Sequence, residues 1–202
     1  MKSLALAAGV VTILAGAAAP ATAEPFSSFV DMCLTTDANH EAAAAAAKRA
    51  HWYQMPGEVF DEVPELQDAA LYLSFDPTGT AGPPIDGAFE VMVTGSADSE
   101  GAIEMEGMSL GLCGVMSPGM DVEATRRQVA ARLGAQPTTT AEGETIWLYS
   151  RKNGQLVSEA ALTDAKDETI LEAVRHRDLY VVFLLDEEGT TGLMAGAIRA
   201  RP

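Results

Sequence analysis

Ile146-Trp147-Leu148-Tyr149-Ser150-Arg151 and Gln155-Leu156-Val157-Ser158-Glu159-Ala160-Ala161 stand on either side of Asn153-Gly154. Both central positions of a two-residue hairpin turn need positive φ, which Asn and Gly adopt at least cost, so the dipeptide predicts an antiparallel hairpin. A second hairpin is expected further on, where Leu179 to Leu185 and Thr191 to Arg199 flank Asp186-Glu187-Glu188-Gly189. This half of the chain is therefore expected to pair antiparallel.

Upstream, Leu71, Leu73 and Phe75 alternate with Ala70, Tyr72 and Ser74 until Asp76-Pro77, the two-residue period of a strand. A Gly/Pro-rich stretch, Thr78 to Gly87, leads to a second strand in which Phe89, Val91 and Val93 face one way. Ile103 and Met105 alternate with Glu104 and Glu106, and a further run carries Leu110, Leu112 and Cys113 up to Ser117-Pro118-Gly119. These are expected to be antiparallel strands with one wet face.

Helical periods occupy the rest. After Pro25, suited to a first turn, Phe26, Phe29, Val30, Cys33 and Leu34 recur at i, i+3, i+4, i+7 and i+8. Asp37 is expected to cap a second helix through Ala42 to Ala47 toward Ala50, with Glu41 favoured in its first turn. Asp121 should cap a third, with Val122, Thr125, Val129 and Leu133 on one face and Gly134 as its stop. Residues Asp164 to Arg177 fit either a helix, through Ile170, Leu171 and Val174, or another strand. The element order predicts an α+β fold: N-terminal helices and one central helix packed on a largely antiparallel sheet.

The first residues carry an address. Lys2, an apolar run from Leu4 to Leu14, and Ala21-Thr22-Ala23 have the form of a secretory signal peptide over residues 1–23, leaving residues 24–202 as a single α+β domain. The expected destination is the periplasm or the exterior, where the only two cysteines, Cys33 and Cys113, can form a disulfide. No cysteine follows the leader to take a lipid, and no later run reaches the ~18 apolar residues of a membrane span.

The chain holds 13 Lys+Arg against 29 Asp+Glu, a net charge of −16, and loss of a leader that contains Lys2 and no carboxylate makes it −17. Such a charge repels nucleic acid phosphates and attracts cations, so the expected partner is a cationic envelope protein, for instance a basic hydrolase that it inhibits. The same acidity also serves solubility.

Motifs for chemistry are sparse. His40 and His51 on one helix would lie about three turns, ~16 Å, apart, and neither they nor His176 has zinc-ligand spacing. His51-Trp52-Tyr53 is the candidate binding cleft, although a Trp at a helix end more often buries its ring as a core anchor. Met105 and Met108 are the close thioether pair, but on a strand they point to opposite faces and do not converge on copper. Asp98-Ser99-Glu100-Gly101 and Asp186-Glu187-Glu188-Gly189 lack the ligand order of a calcium loop. Thr94-Gly95-Ser96-Ala97 lacks the second glycine of a nucleophile elbow, and Gly107, Gly111 and Gly114 lack dinucleotide-binding spacing. No cofactor is expected.

The helix Phe26-x-x-Phe29-Val30-x-x-Cys33-Leu34, the downstream Trp52, and Gly111-Leu112-Cys113-Gly114-Val115 resemble a loose class of small exported bacterial proteins of uncharacterised function with a helix cysteine and a strand cysteine. The resemblance implies a paired-cysteine module and supplies no catalytic residue. The leading expectation is an exported, non-catalytic protein that binds a macromolecular or small-molecule partner in the cell envelope. The alternatives are an envelope hydrolase with His51 as base, and a subunit of an envelope assembly that presents an apolar patch.

Overall fold

A computed structural model describes residues 25–60, 66–75, 77, 89–98, 107–118, 120–141, 144–163, 165–187 and 190–200. Nine strands join in one sheet. They are β1 (Tyr53–Gln54), β2 (Leu66–Leu73), β3 (Val91–Asp98), β4 (Met108–Pro118), β5 (Thr139–Ala141), β6 (Glu144–Lys152), β7 (Gln155–Ser158), β8 (Leu179–Glu187) and β9 (Thr190–Ala200). The order is β1-β2-β3-β4-β9-β8-β6-β5, with β7 beside β6, and every pair is antiparallel. The N-terminal strands form a meander, and β9 returns to lie along β4 from Met108↔Ala200 to Pro118↔Thr190. The expected leader, the Thr78 to Gly87 stretch and the alternating Ile103 to Glu106 segment lie outside the described residues.

Both predicted hairpins form. Asn153 and Gly154 sit at φ 54° and 78°, the left-handed pair that the tight β6–β7 turn requires. β8 and β9 pair from Leu179↔Ile198 to Glu187↔Thr190.

Helix α1 (Pro25–Phe29) runs on into a π-helical turn over Val30–Leu34. That wider turn lets three consecutive side chains, Met32, Cys33 and Leu34, all be buried, which a regular α-helical stripe does not. Helix α2 (His40–Arg49) is capped by Asn39, whose Oδ1 accepts the Ala42 N–H at 2.9 Å, and not by Asp37 as the sequence suggested. Asp37 and Ala38 instead take left-handed φ values of 54° and 51°, which turn the chain before the helix starts. Fully buried Ala43 and Ala47 allow α2 to approach closely. Helix α3 (Val122–Leu133) has the cap and stop expected of it: Asp121 Oδ1 accepts from Ala124 N at 2.8 Å, and Gly134 ends it at φ 65°.

The segment with two readings is helix α4 (Asp167–His176). Asp167 and Glu168 in its first turn and Arg175 and His176 in its last complement the helix dipole, and Glu172 pairs with both Arg175 and His176 one turn on. Its N-cap is Lys166, which makes no side-chain cap. The usual start signal is absent from the sequence, which explains the ambiguity.

The sheet carries two cores. On one face, Phe29, Cys33 and Leu34, the alanines of α2, and Val129 and Leu133 of α3 pack on Tyr72, Met92, Cys113, Val115, Trp147 and Val182. On the other, Ala173 and Val174 of α4 pack with Met108, Leu110, Leu148, Leu179, Val181 and Ile198. The expectation of one wet face is corrected for β4, whose Met108 and Leu110 are buried in this second core. A strand covered on both sides reads as a continuous apolar run, as Leu179 to Leu185 does, rather than as an alternation.

Glu159, after β7, ties this end together: its carboxylate accepts the Ser150 hydroxyl at 2.6 Å and Arg177 Nε and Nη2 at 2.8 Å each. Burial favours the neutral acid, but the bonds from Arg177 and Ser150 and the Arg177 charge outweigh it and hold the carboxyl below its ordinary value of 4.5. The stability it contributes is present above that value and lost as pH falls through the lower folded one. Glu159→Gln is expected to cost about 2 kcal/mol at pH 7 and to narrow that gap below pH 4, checked by urea unfolding at both pH values.

Candidate functional site

The disulfide expected from the sequence is present. Cys33 and Cys113 are bonded with Cα atoms 5.3 Å apart, and both are fully buried. It joins the π turn after α1 to the middle of β4.

His51, Trp52 and Tyr53 do not converge. His51 is exposed at the carboxyl end of α2 with φ 61°, and among the described residues no carboxylate or hydroxyl lies within hydrogen-bond reach of its ring. Tyr53 pairs with Leu73 in edge strand β1. Trp52 packs its ring on the core and also walls a cleft of about 500 Å³ between α1 and α2, opposite Ser27, Ser28 and Asp31. Near it lies Glu90, only 7% exposed, whose pKa is raised by burial and partly lowered by the Ser28 hydroxyl. His40 is half-buried at the start of α2, His176 pairs with Glu172 through Nε2 at 2.9 Å, and Met108 is buried in the core. Among the described residues no three His, Cys, Asp or Glu side chains are placed to hold a metal ion.

A richer constellation lies where the chain between α1 and α2 meets the β6–β7 hairpin. A cleft of about 480 Å³ is lined by Leu34, Thr35, Asp37, Arg132, Leu133, Tyr149, Arg151, Gly154 and Leu156. Arg151 reaches Asp37 Oδ1 through Nε at 3.0 Å and Nη2 at 2.7 Å, and Nη2 also approaches the Leu34 carbonyl at 3.4 Å. Its guanidinium carbon lies 5.8 Å above the centre of the Tyr180 ring, which stacks on Tyr149 at 5.4 Å. Burial drives the Tyr149 phenol far above its ordinary 10.0, with Arg151 the strongest opposing charge, so it is a neutral donor at any physiological pH. Arg132 contributes from the last turn of α3, and among the described residues no carboxylate pairs with it.

This cleft depends on a backbone contact that the sequence does not announce. Asp37 points at Arg151 because Asp37 and Ala38 are both left-handed, a costly conformation for non-glycine residues. Gly111 across the sheet makes room for it: a Cβ there would lie 2.8 Å from the Ala38 carbonyl oxygen. Gly111→Ala is expected to cost about 2 kcal/mol by overpacking and to separate Asp37 from Arg151. Urea unfolding and the Arg151 side-chain resonances check the two effects.

The arrangement offers two guanidinium groups, one carboxylate, a buried phenol and an apolar floor, which are groups of recognition. The sequence assigns none of its polar members to a binding site, and Asp37 reads there as a helix cap. Asp37 and Arg151 are 114 positions apart, and no spacing rule joins them. The only cue was local, since the Asn-Gly turn fixes Arg151 at the end of β6. Neither a family model, nor a curated protein, nor a solved structure matches the chain.

Proposed function

We propose that this chain is an exported, non-catalytic binding protein of the cell envelope, held by its disulfide and using the cleft between Arg132 and Arg151 to take a ligand. The observation that carries the reading is the convergence on one concavity of Arg132, which pairs with no carboxylate among the described residues, the held Arg151 and the Tyr149 ring. The disulfide supports an oxidising compartment, and no helix among the described residues is long and apolar enough to cross a membrane. A His51-based hydrolase draws no support from the exposed, isolated His51.

The test is ligand-observed NMR of the oxidised protein against a fragment set containing anionic, neutral and cationic members. At least one fragment is expected to bind with millimolar or better affinity and to shift amides around Leu34, Leu133 and Gly154. Absence of any cleft binder at millimolar concentration overturns the reading. The net charge favours a second partner, a cationic envelope protein, held by long-range attraction that salt screens. Low-salt pull-down from envelope extract should recover a basic protein that elutes in high salt, and recovery of none removes that partner.

A further inference from the structure

We propose that the Arg132–Arg151 cleft is built for the carboxylate of a small amphipathic monoanion, whose apolar body lies against Leu34, Leu133, Leu156 and the Tyr149 ring. The inference deepens the binding reading above and rests on it. In a chain of net charge −16, the cleft's charged lining is two arginines and one aspartate, a local balance of +1. At physiological salt the Debye length is about 8 Å, so the acidic remainder of the surface is largely screened from a ligand seated in this cleft.

The donors are specific in type. Asp37 holds Arg151 along its Nε/Nη2 edge and leaves Nη1 without a partner among the described residues. That grip and the Tyr180 ring beneath fix the guanidinium plane before any ligand arrives, so little rotamer entropy remains to be lost. Arg132, from the last turn of α3, lines the same cleft and supplies its second positive charge. A carboxylate offers two oxygens in the plane that an arginine fork matches. A phosphate dianion would carry a second negative charge toward Asp37, whereas one negative charge balances the lining. The floor of Leu34, Leu133 and Leu156 calls for an apolar body, and about 480 Å³ accommodates a small molecule or a chain end.

Carboxylates of this kind come either as free organic acids or as the C-terminus of a peptide. The experiment is amide NMR titration of the oxidised protein with sodium benzoate, benzamide, N-acetyl-Ala-Phe and the C-terminal amide of that peptide. Each acid is expected to shift amides of Leu34, Thr35, Leu133 and Gly154 saturably, and each matched amide to bind at least tenfold more weakly. Arg132→Gln, on an exposed side chain whose loss leaves the fold intact, should weaken the acids about tenfold and leave the amides unchanged. Tighter binding of benzoate assigns the site to free acids, and tighter binding of the peptide assigns it to chain ends. Equal binding of acid and amide, or no effect of Arg132→Gln, overturns the carboxylate assignment and leaves the binding reading standing. No shift from any of the four probes also overturns this assignment, while the broader reading falls only with the fragment set.

Discussion

Replacing both Cys33 and Cys113 with alanine is expected to lower the unfolding free energy by about 4 kcal/mol. The bond closes a loop of 80 residues, and the chain-entropy estimate for a loop of that length is about 4 kcal/mol. The loop contains α2 and the first three strands, so its closure restricts the unfolded form of the whole N-terminal meander. Alanine is the better replacement, because both sulfurs are fully buried and a serine hydroxyl there would add a desolvation cost of its own. Urea unfolding of the variant against the oxidised parent checks the magnitude. A loss below about 1 kcal/mol would mean that apolar packing alone holds the first helix and that the covalent link adds little.

Phe29→Ala is expected to cost about 4 kcal/mol by a separate mechanism. Phe29 is fully buried at the junction of α1 with the π turn, in the same cluster as Cys33, Cys113, Ala43 and Ala195. Truncating a buried aromatic loses its transfer free energy and leaves a cavity that rigid neighbours fill only in part, a combined cost of about 3–5 kcal/mol. The strands beneath are locked into β4 and β9 ladders and cannot collapse inward. Urea unfolding gives the value, and added benzene should recover part of the loss if the cavity stays open and dry. The two changes act on one element, so combining them should cost less than their sum once the helix has already left the sheet.

Much of the frame could be read from residue order. Asn153-Gly154 gave the β6–β7 turn, Asp121 and Gly134 marked α3, and the Phe26 to Leu34 stripe placed Cys33 on a buried face. These are local signals, each contained within a few residues. What escaped depended on distant partners. Asp37 reads as a helix cap because it precedes an alanine-rich helix, but it and Ala38 are turned left-handed, with the Ala38 carbonyl against Gly111, far along the chain. The cover that α4 provides over the second sheet face was equally hidden, since a short amphipathic segment without a capping side chain reads as helix or strand.

The candidate site shows the same division. His51, Trp52 and Tyr53 are adjacent in sequence, yet of the three Trp52 alone lines the cleft between α1 and α2. Tyr149 and Tyr180 come together through the Tyr149↔Tyr180 register of β6 and β8, and Arg151 joins them because the hairpin ends two residues later. Strand register, which sequence leaves open until the sheet order is known, assembled that cleft.

The proposed export from the cytoplasm and the Cys33–Cys113 bridge belong together, because the bond persists in an oxidising compartment. Intact-mass spectrometry of the full chain expressed in a bacterium with a periplasm tests both parts in one spectrum. The predicted species begins at Glu24, is lighter than its thiol form by two hydrogens, and takes up two alkyl groups only after reductant. A species that keeps residues 1–23 and is alkylated at both cysteines without reductant contradicts it.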